Sequence, residues 1–324
     1  MKTKPFPPRA CINLYFIPVA VLGNCLYIEG GELAQFDDNA PANAASREKT
    51  SDVADYGSWV PASLIADYNL YILTADLGDR PPVNSTLSLP LDQPWTNETV
   101  QLRTITKAGP AQKEFALWPD PDGQKMYAWG GEAASPNNDV DLDELADPYL
   151  WAFTADTSGG TCSGTWDRAG RAPDNIWRAV GGTPATCAGR GLFLGGVASS
   201  TSDRRVAFGQ EAVPLPGLLS YDMETREWSN RSRTVTSPYE TSGRGRGVCM
   251  PFGPSGGLVM WIGGCFRAPP KYETVTPMPM TNLTFYDPVA DKWYSKVTTG
   301  GVPTPRSNPC VVGVKHPKDG TYDM

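Results

Sequence analysis

The sequence predicts an all-β protein assembled from repeated four-stranded units. Three observations carry that expectation. The chain of 324 residues holds 33 Gly and 31 Pro but only 19% charged residues. That is a turn-rich composition, with few stretches at helical period. An apolar run enters a glycine pair four times: "CLYIEGG" at Gly30-Gly31, "KMYAWGG" at Gly130-Gly131, "GLFLGG" at Gly195-Gly196 and "GLVMWIGG" at Gly263-Gly264. After each pair come a polar loop, a second apolar run and a tryptophan, namely Trp95, Trp166, Trp228 and Trp293.

Taken in order, the N-terminal stretch comes first. Lys2, Lys4 and Arg9 precede Ala10 to Ile28, which carries no charge and has the outline of a secretory leader. Pro18 and the turn signal Gly23-Asn24 interrupt it. Two β-strands joined by a turn are therefore the preferred reading, and "NCLYIEGGE" parallels "KMYAWGGE". No other segment reaches membrane-spanning length. The Ala-, Asp- and Ser-rich stretch from Phe36 to Val60 reads as a long surface loop inserted in the first unit.

The remaining units keep a register. Gly131 to Trp166, Gly196 to Trp228 and Gly264 to Trp293 span 35, 32 and 29 residues. Tyr221-Asp222 leads to Trp228 as Tyr286-Asp287 leads to Trp293. A strand, an Asp-led turn and a Trp opening the next strand describe a β-hairpin. Each unit then holds four strands: one before the glycine strand, the glycine strand, one before the Asp turn, and one opened by Trp. A lone four-stranded sheet buries neither face well. Radial packing against like sheets solves that, which predicts a β-propeller. The glycine pairs should end the second strand of each unit, where the missing side chains permit close packing by the next sheet.

Gly-Gly, then an aromatic-Asp turn, then Trp resembles the kelch repeat. The chain is similar over nearly its whole length to kelch and galactose-oxidase-like propellers, most of all to fungal extracellular ones. The resemblance implies one domain over 1–324, with units at about 10–105, 106–175, 176–238 and 239–300 and a partial fifth at 301–324. Kelch rings usually have six or seven blades, so four complete blades and a partial fifth imply an incomplete ring, from a fragment or a shortened gene model. Unpaired strand edges would make the isolated chain aggregation-prone or dependent on a partner.

Composition narrows the function. A net charge of −7 and no Lys/Arg cluster longer than a pair, apart from the Gly-spaced Arg244 and Arg246, argue against nucleic acid and against an anionic membrane surface. The cysteines are Cys11, Cys25, Cys162, Cys187, Cys249, Cys265 and Cys310; none forms Cys-x-x-Cys, so a zinc site is not expected. They read as buried thiols, or as a Cys162–Cys187 or Cys249–Cys265 bridge. The one histidine, His316, reads as a solvated turn residue. The family includes a copper radical oxidase, whose site needs two imidazoles; one histidine cannot supply them, nor a Ser/His/Asp or Cys/His centre. Carboxylate acid/base chemistry stays open among 35 Asp and Glu. "SGGTCSGTW" at Ser158 to Trp166 lacks the aspartate of a sialidase turn, and "GPSGGL" lacks the Gly-Lys-Ser/Thr end of a P-loop.

Glu29, Glu32 and Glu132 adjoin glycine pairs, either as solvated turn residues, the preferred reading, or as a carboxylate ring at a channel mouth. Arg190, Arg244, Arg246 and Arg306 stand at or near the start of the first strand in successive units. They either bond neighbouring carbonyls and carboxylates or line a channel and bind an anionic side chain or sugar acid. The four tryptophans read as packing between sheets rather than as sugar platforms. Asn84, Asn97, Asn230 and Asn282 head N-x-S/T sequons. No catalytic residue, metal or cofactor is expected. The reading is a non-enzymatic interaction module for a protein or glycan partner, secreted or at the cell surface, with the cytoplasm as the alternative. The alternative function is a carbohydrate-active or oxidase-like enzyme whose catalytic residues are lost or lie outside the chain.

Overall fold

The computed structural model describes residues 13–15, 18–29, 32–35, 65–67, 85–96, 99, 102–107, 109–110, 112–133, 148–231, 242–267, 275–309, 311, 313–315 and 321–323. Among them there is no α-helix, only a single 3-10 turn at Ser158–Gly160. The rest of the regular structure is antiparallel strand, most of it in four open four-stranded sheets.

Each of the four is a simple meander. The first contains Val19–Leu22, Cys25–Glu29, Ser85–Pro90 and Arg103–Thr106. The second contains Gln112–Pro119, Lys125–Ala133, Tyr149–Asp156 and Ser163–Arg171. Thr183–Cys187, Arg190–Leu194, Leu218–Asp222 and Trp228–Arg231 form the third. Arg246–Met250, Leu258–Ile262, Asn282–Asp287 and Lys292–Val297 form the fourth. A last two-stranded pair, Val314–Lys315 with Tyr322–Asp323, touches the fourth sheet where the Tyr322 hydroxyl donates to the Cys249 carbonyl at 3.3 Å. The first strands of consecutive sheets are neighbours, first with second, second with third, and third with fourth.

The apolar runs are explained by burial on both faces. Along the first strand of the second sheet, Phe115 and Leu117 pack against Ala20, Leu22 and Tyr27 of the first sheet. Their neighbours Ala116 and Trp118 turn the other way, into a cluster with Phe193, Leu219 and Tyr221 of the third. Period-2 alternation thus puts every second residue into a different core. The third core joins Leu192, Leu194 and Leu218 to Val259, Trp261 and Tyr286 of the fourth sheet.

Three of the repeat tryptophans sit in fourth strands. The Trp166 ring lies 5.3 Å from Phe153, Trp228 4.6 Å from Trp129 and Trp293 4.7 Å from Tyr286. Trp95 departs from the expectation: it stands in the loop after Pro90, 47% exposed, because the longer connection delays the fourth strand to Arg103. The Asp-led turns are present. The Asp222 carboxylate accepts the N–H groups of Glu224 and Thr225, and that of Asp287 those of Val289 and Ala290. Burial pushes the Asp287 carboxyl up, but these N–H bonds, together with the Ser255 hydroxyl and the Lys292 charge, outweigh it and hold the group below the usual carboxylate range. Asp156 accepts the Ser158 N–H in the same way at the corresponding turn of the second sheet, two residues ahead of "SGGTCSGTW".

The glycine pairs fasten one sheet to the next. The N–H of Gly131 donates to the Ala179 carbonyl at 2.8 Å, Gly196 to Ser242 at 2.8 Å and Gly264 to Arg306 at 2.9 Å. Each acceptor lies in the segment leading into the following unit. A Cβ on Gly130, Gly195 or Gly263 would collide with that same carbonyl, and all six glycines have positive φ, from 63° to 91°. Gly195-Gly196 and Gly263-Gly264 follow their strands, as expected. Gly130-Gly131 does not end its strand. The ladder runs through to Ala133, because an irregularity that leaves Glu114 and Gly131 unpaired lets Lys113 pair with Glu132. Gly30 and Gly31 lie outside the described residues.

The cysteine expectations are corrected. The bridges are Cys25–Cys162 and Cys187–Cys249, joining first to second and third to fourth sheets, while Cys265 is a buried thiol outside both bridges. The facing sheets bring these thiols together, whereas Cys162 and Cys187 belong to different sheets, and the Cys265 thiol reaches the Gly243 carbonyl instead. Cys11 and Cys310 lie outside the described residues.

Replacing Gly195 or Gly264 by Ala should destabilise the protein by at least about 1–3 kcal/mol from backbone strain alone. Gly301→Ala, with no atom within 4 Å of its Cβ position, should change stability by less than about 0.5 kcal/mol; urea unfolding measures both. Non-reducing peptide mapping should recover the two bridges above. Reducing them should lower the thermal midpoint, since closing loops of 137 and 62 residues contributes up to about 4–5 kcal/mol each on the chain-entropy argument.

Candidate binding site where the first strands converge

Four positions just ahead of, or within, the first strands are linked by backbone. The Gly181 N–H donates to the Glu114 carbonyl at 3.2 Å, Arg244 to Gly181 at 2.8 Å and Asn308 to Arg244 at 2.6 Å. All four residues are left-handed, with φ of 55° at Glu114, 67° at Gly181, 57° at Arg244 and 50° at Asn308. Glutamate and arginine rarely adopt this conformation, and each instance costs about 1–3 kcal/mol unless the surroundings hold it. Here the hydrogen-bond relay holds it, and it delivers one residue from each of four successive units to a common centre.

The side chains there are charged. The Glu114 carboxylate is nearly buried, with Arg244 Nη2 3.4 Å away. Gly181 makes room for it, since a Cβ there would meet Glu114 Oε2 at 2.7 Å. Arg246 heads the first strand of the fourth sheet and lines the same recess with Pro18, Phe115 and Asn308. On the other side of the relay a cleft of about 220 Å³ adds Glu132, Ser199 and Ser242. Glu132 accepts from the Thr201 hydroxyl at 2.9 Å and lies 3.8 Å from Lys113 Nζ. The centre thus offers two guanidinium groups, an ammonium and two carboxylates.

Two of the four candidate arginines, Arg244 and Arg246, come together there. Arg190 does not: it begins the second strand of its unit rather than the first, at the end away from the glycine doublet. There it faces Asp222 at 3.5 Å and donates to the Pro288 carbonyl at 3.1 Å. Arg306 is exposed; its side chain turns back to Thr304, and its carbonyl serves the Gly264 clasp.

Glu29 overturns both readings given to it, being neither a turn residue nor part of a mouth. It is buried in the seam between first and second sheets, 2.5 Å from Lys107 Nζ, and accepts from the Thr86 hydroxyl. Trp166 Nε1 donates to Thr86 at 2.7 Å, and Lys107 Nζ lies 5.1 Å from the Trp166 ring. The strand leading into Gly30-Gly31 ends on this glutamate where the other three carry Trp, Leu and Ile, and that is why the sheet buries it. Of Glu32 only the backbone is described, in the strand Glu32–Gln35. Asn230 and Asn282 are exposed on strands of the third and fourth sheets; Asn84, Asn97 and His316 lie outside the described residues. Burial pushes the Tyr27 and Tyr221 phenols up to about 12, which keeps both neutral at physiological pH.

Sequence reasoning missed Glu114. The signal was available: Glu114, Gly181, Arg244 and Asn308 are 67, 63 and 64 residues apart, a register as regular as that of the glycines. Lys107 and Thr86 carry no local signal, because their partner is a residue of another strand.

No family model matches the chain, and no curated protein matches it. Among solved structures, that of YjhT is similar at 11% identity, with 94% of this chain and 75% of that chain covered and a TM-score of 0.49.

Lys107→Met, which leaves Glu29 buried without its counter-ion, should cost about 3–5 kcal/mol. Glu29→Leu combined with Lys107→Met should recover most of that loss. Chemical denaturation of the two variants tests the pair.

Proposed function

We propose that the four meanders are blades of a kelch-type β-propeller, and that this propeller is a non-catalytic binding module. Three repeated relations support the blade reading. First strands neighbour one another in chain order, each consecutive pair of sheets shares a core, and each described glycine doublet clasps the next unit. The observation that carries the binding reading is the convergence of Arg244 and Arg246 beside Asn308, held by a strained backbone relay. Paired guanidinium groups with an amide beside them suit a carboxylate, from an acidic side chain of a protein partner or from a sugar acid. Glu114, which lines the same recess, sets the orientation by accepting a hydrogen bond from the same ligand.

The protein works outside the cell, at the surface or secreted. Two bridges between sheets support this, since disulfides form and persist in oxidising compartments. Asn230 and Asn282 present their sequons to solvent, where a glycan can be attached. No helix among the described residues is long and apolar enough to cross a membrane.

The test is an array of acidic and neutral peptides and glycans. The wild-type protein should retain acidic members. Arg244→Gln with Arg246→Gln should weaken retention at least about tenfold, the loss of one or two charge-assisted bonds, while Arg190→Gln leaves it unchanged. Equal retention by the double variant would sink the site, and peroxide release from sugars or alcohols after copper loading would sink the non-catalytic reading.

A further inference from the structure

A second cleft, away from the central recess, lies between the second and third sheets. Its origin is a bulge. In the second sheet Leu150 pairs with Gly170 and Trp151 with Arg168, leaving Ala169 unpaired. A bulge bends the end of its strand and re-aims the side chains that follow. Beyond it, Gly170 has nothing within 4 Å of its Cβ position. The open cleft so formed has a volume of about 530 Å³ and is bounded by Leu150, Arg171, Tyr221, Arg226, Glu227 and Trp228, among others. That volume falls in the range of small-molecule sites.

The lining is chemically specific. The floor is the buried Leu150 and the Tyr221–Trp228 ring pair, whose centroids are 4.7 Å apart. Trp228 is only half-buried: it packs against Trp129 and also borders the cleft. The rim carries two guanidinium groups. Arg171 is 48% exposed, and its ion pair with Asp174 is long at 4.0 Å with an aspartate that is 97% exposed. Such a pair holds weakly, so an incoming anion can take the guanidinium over. Arg226 sits at φ 62° in the hairpin turn just before Trp228, with no carboxylate partner among the described residues. Glu227 adds one acceptor beside them.

We propose that this cleft is a binding site for an acidic saccharide, one whose pyranose ring bears a carboxylate. The apolar face of the ring lies on the Trp228 indole. The carboxylate meets Arg171 and Arg226, and Glu227 accepts from ring hydroxyls. A neutral sugar would leave both guanidinium groups without an anion, and an apolar ligand would leave all three charged groups unused. The site is independent of the central recess, and its argument does not depend on the sheets being blades of a propeller.

The experiment uses the full chain. Galacturonate and glucuronate oligosaccharides, with maltotriose and a galactose trisaccharide as neutral counterparts, are titrated by calorimetry and by tryptophan fluorescence. At least one uronate oligosaccharide should bind, quench or shift the emission, and weaken as salt rises. The neutral sugars should bind at least tenfold less tightly. Arg171→Gln with Arg226→Gln should lose at least tenfold in affinity at an unchanged melting temperature. Trp228→Phe, which keeps an aromatic ring in the core, should lose the fluorescence response and part of the affinity. Arg244→Gln should bind as the wild type does, separating this cleft from the central recess. No binding across the uronate panel, equal binding of neutral sugars, or undiminished affinity in the double arginine variant would each overturn the proposal.

Discussion

A hydrogen bond from the second glycine of a doublet to a carbonyl ahead of the next sheet is the contact on which the rest of the architecture depends. The two chains meet so closely there that a Cβ on the first glycine would fall on the acceptor. Only a residue without a side chain, free to take positive φ, allows the approach. Once the approach is made, the following first strand is placed beside its predecessor, and the apolar faces of two meanders are brought together. The relay through Gly181, Arg244 and Asn308 depends on the same lead-in segments. The glycines therefore position the charged centre without contributing a functional group to it.

The three seams between sheets are held by different means. The second and third sheets share an aromatic cluster with Trp118, Trp129, Tyr127, Tyr221 and Trp228, and Trp118 Nε1 donates across to the Leu192 carbonyl at 3.1 Å. No described bridge crosses that seam. The outer two seams each carry a disulfide. The first also encloses the Glu29–Lys107 pair with Thr86 and Trp166. Burying two charges costs more than burying hydrocarbon of the same size, and only good geometry offsets it. What the pair adds is selectivity: Glu29 can be buried only where Lys107 and Thr86 meet it, which defines one register for these strands.

Much of the strand pattern was legible in the sequence, and particular residues show why. The run "KMYAWGG" is apolar at successive positions because the second sheet is buried on both sides, so its alternation is invisible as polarity yet its length and ending are plain. The Asp222 and Asp287 turns were readable because an aspartate bonds to N–H groups two and three residues on, a purely local event. Trp95 misled because spacing was stretched by a longer loop, and a Trp has no local signature that separates a strand from its approach. The centre was half legible: Arg244 and Arg246 stood out by their glycine spacing, while Glu114 looked like one more charge inside a strand.

By itself, the sequence determined the all-β class, the four-strand repeat and its turns. These rest on side-chain period, on glycine and aspartate backbone preferences, and on neighbours a few residues apart. Only the tertiary structure decided which cysteines pair, that Glu29 is buried rather than at a mouth, that Arg190 stands apart from Arg244, and where the clefts open. Each of those outcomes depends on groups tens of residues apart along the chain. Their meeting is set by how one twisted sheet packs on the next, and no local preference encodes it.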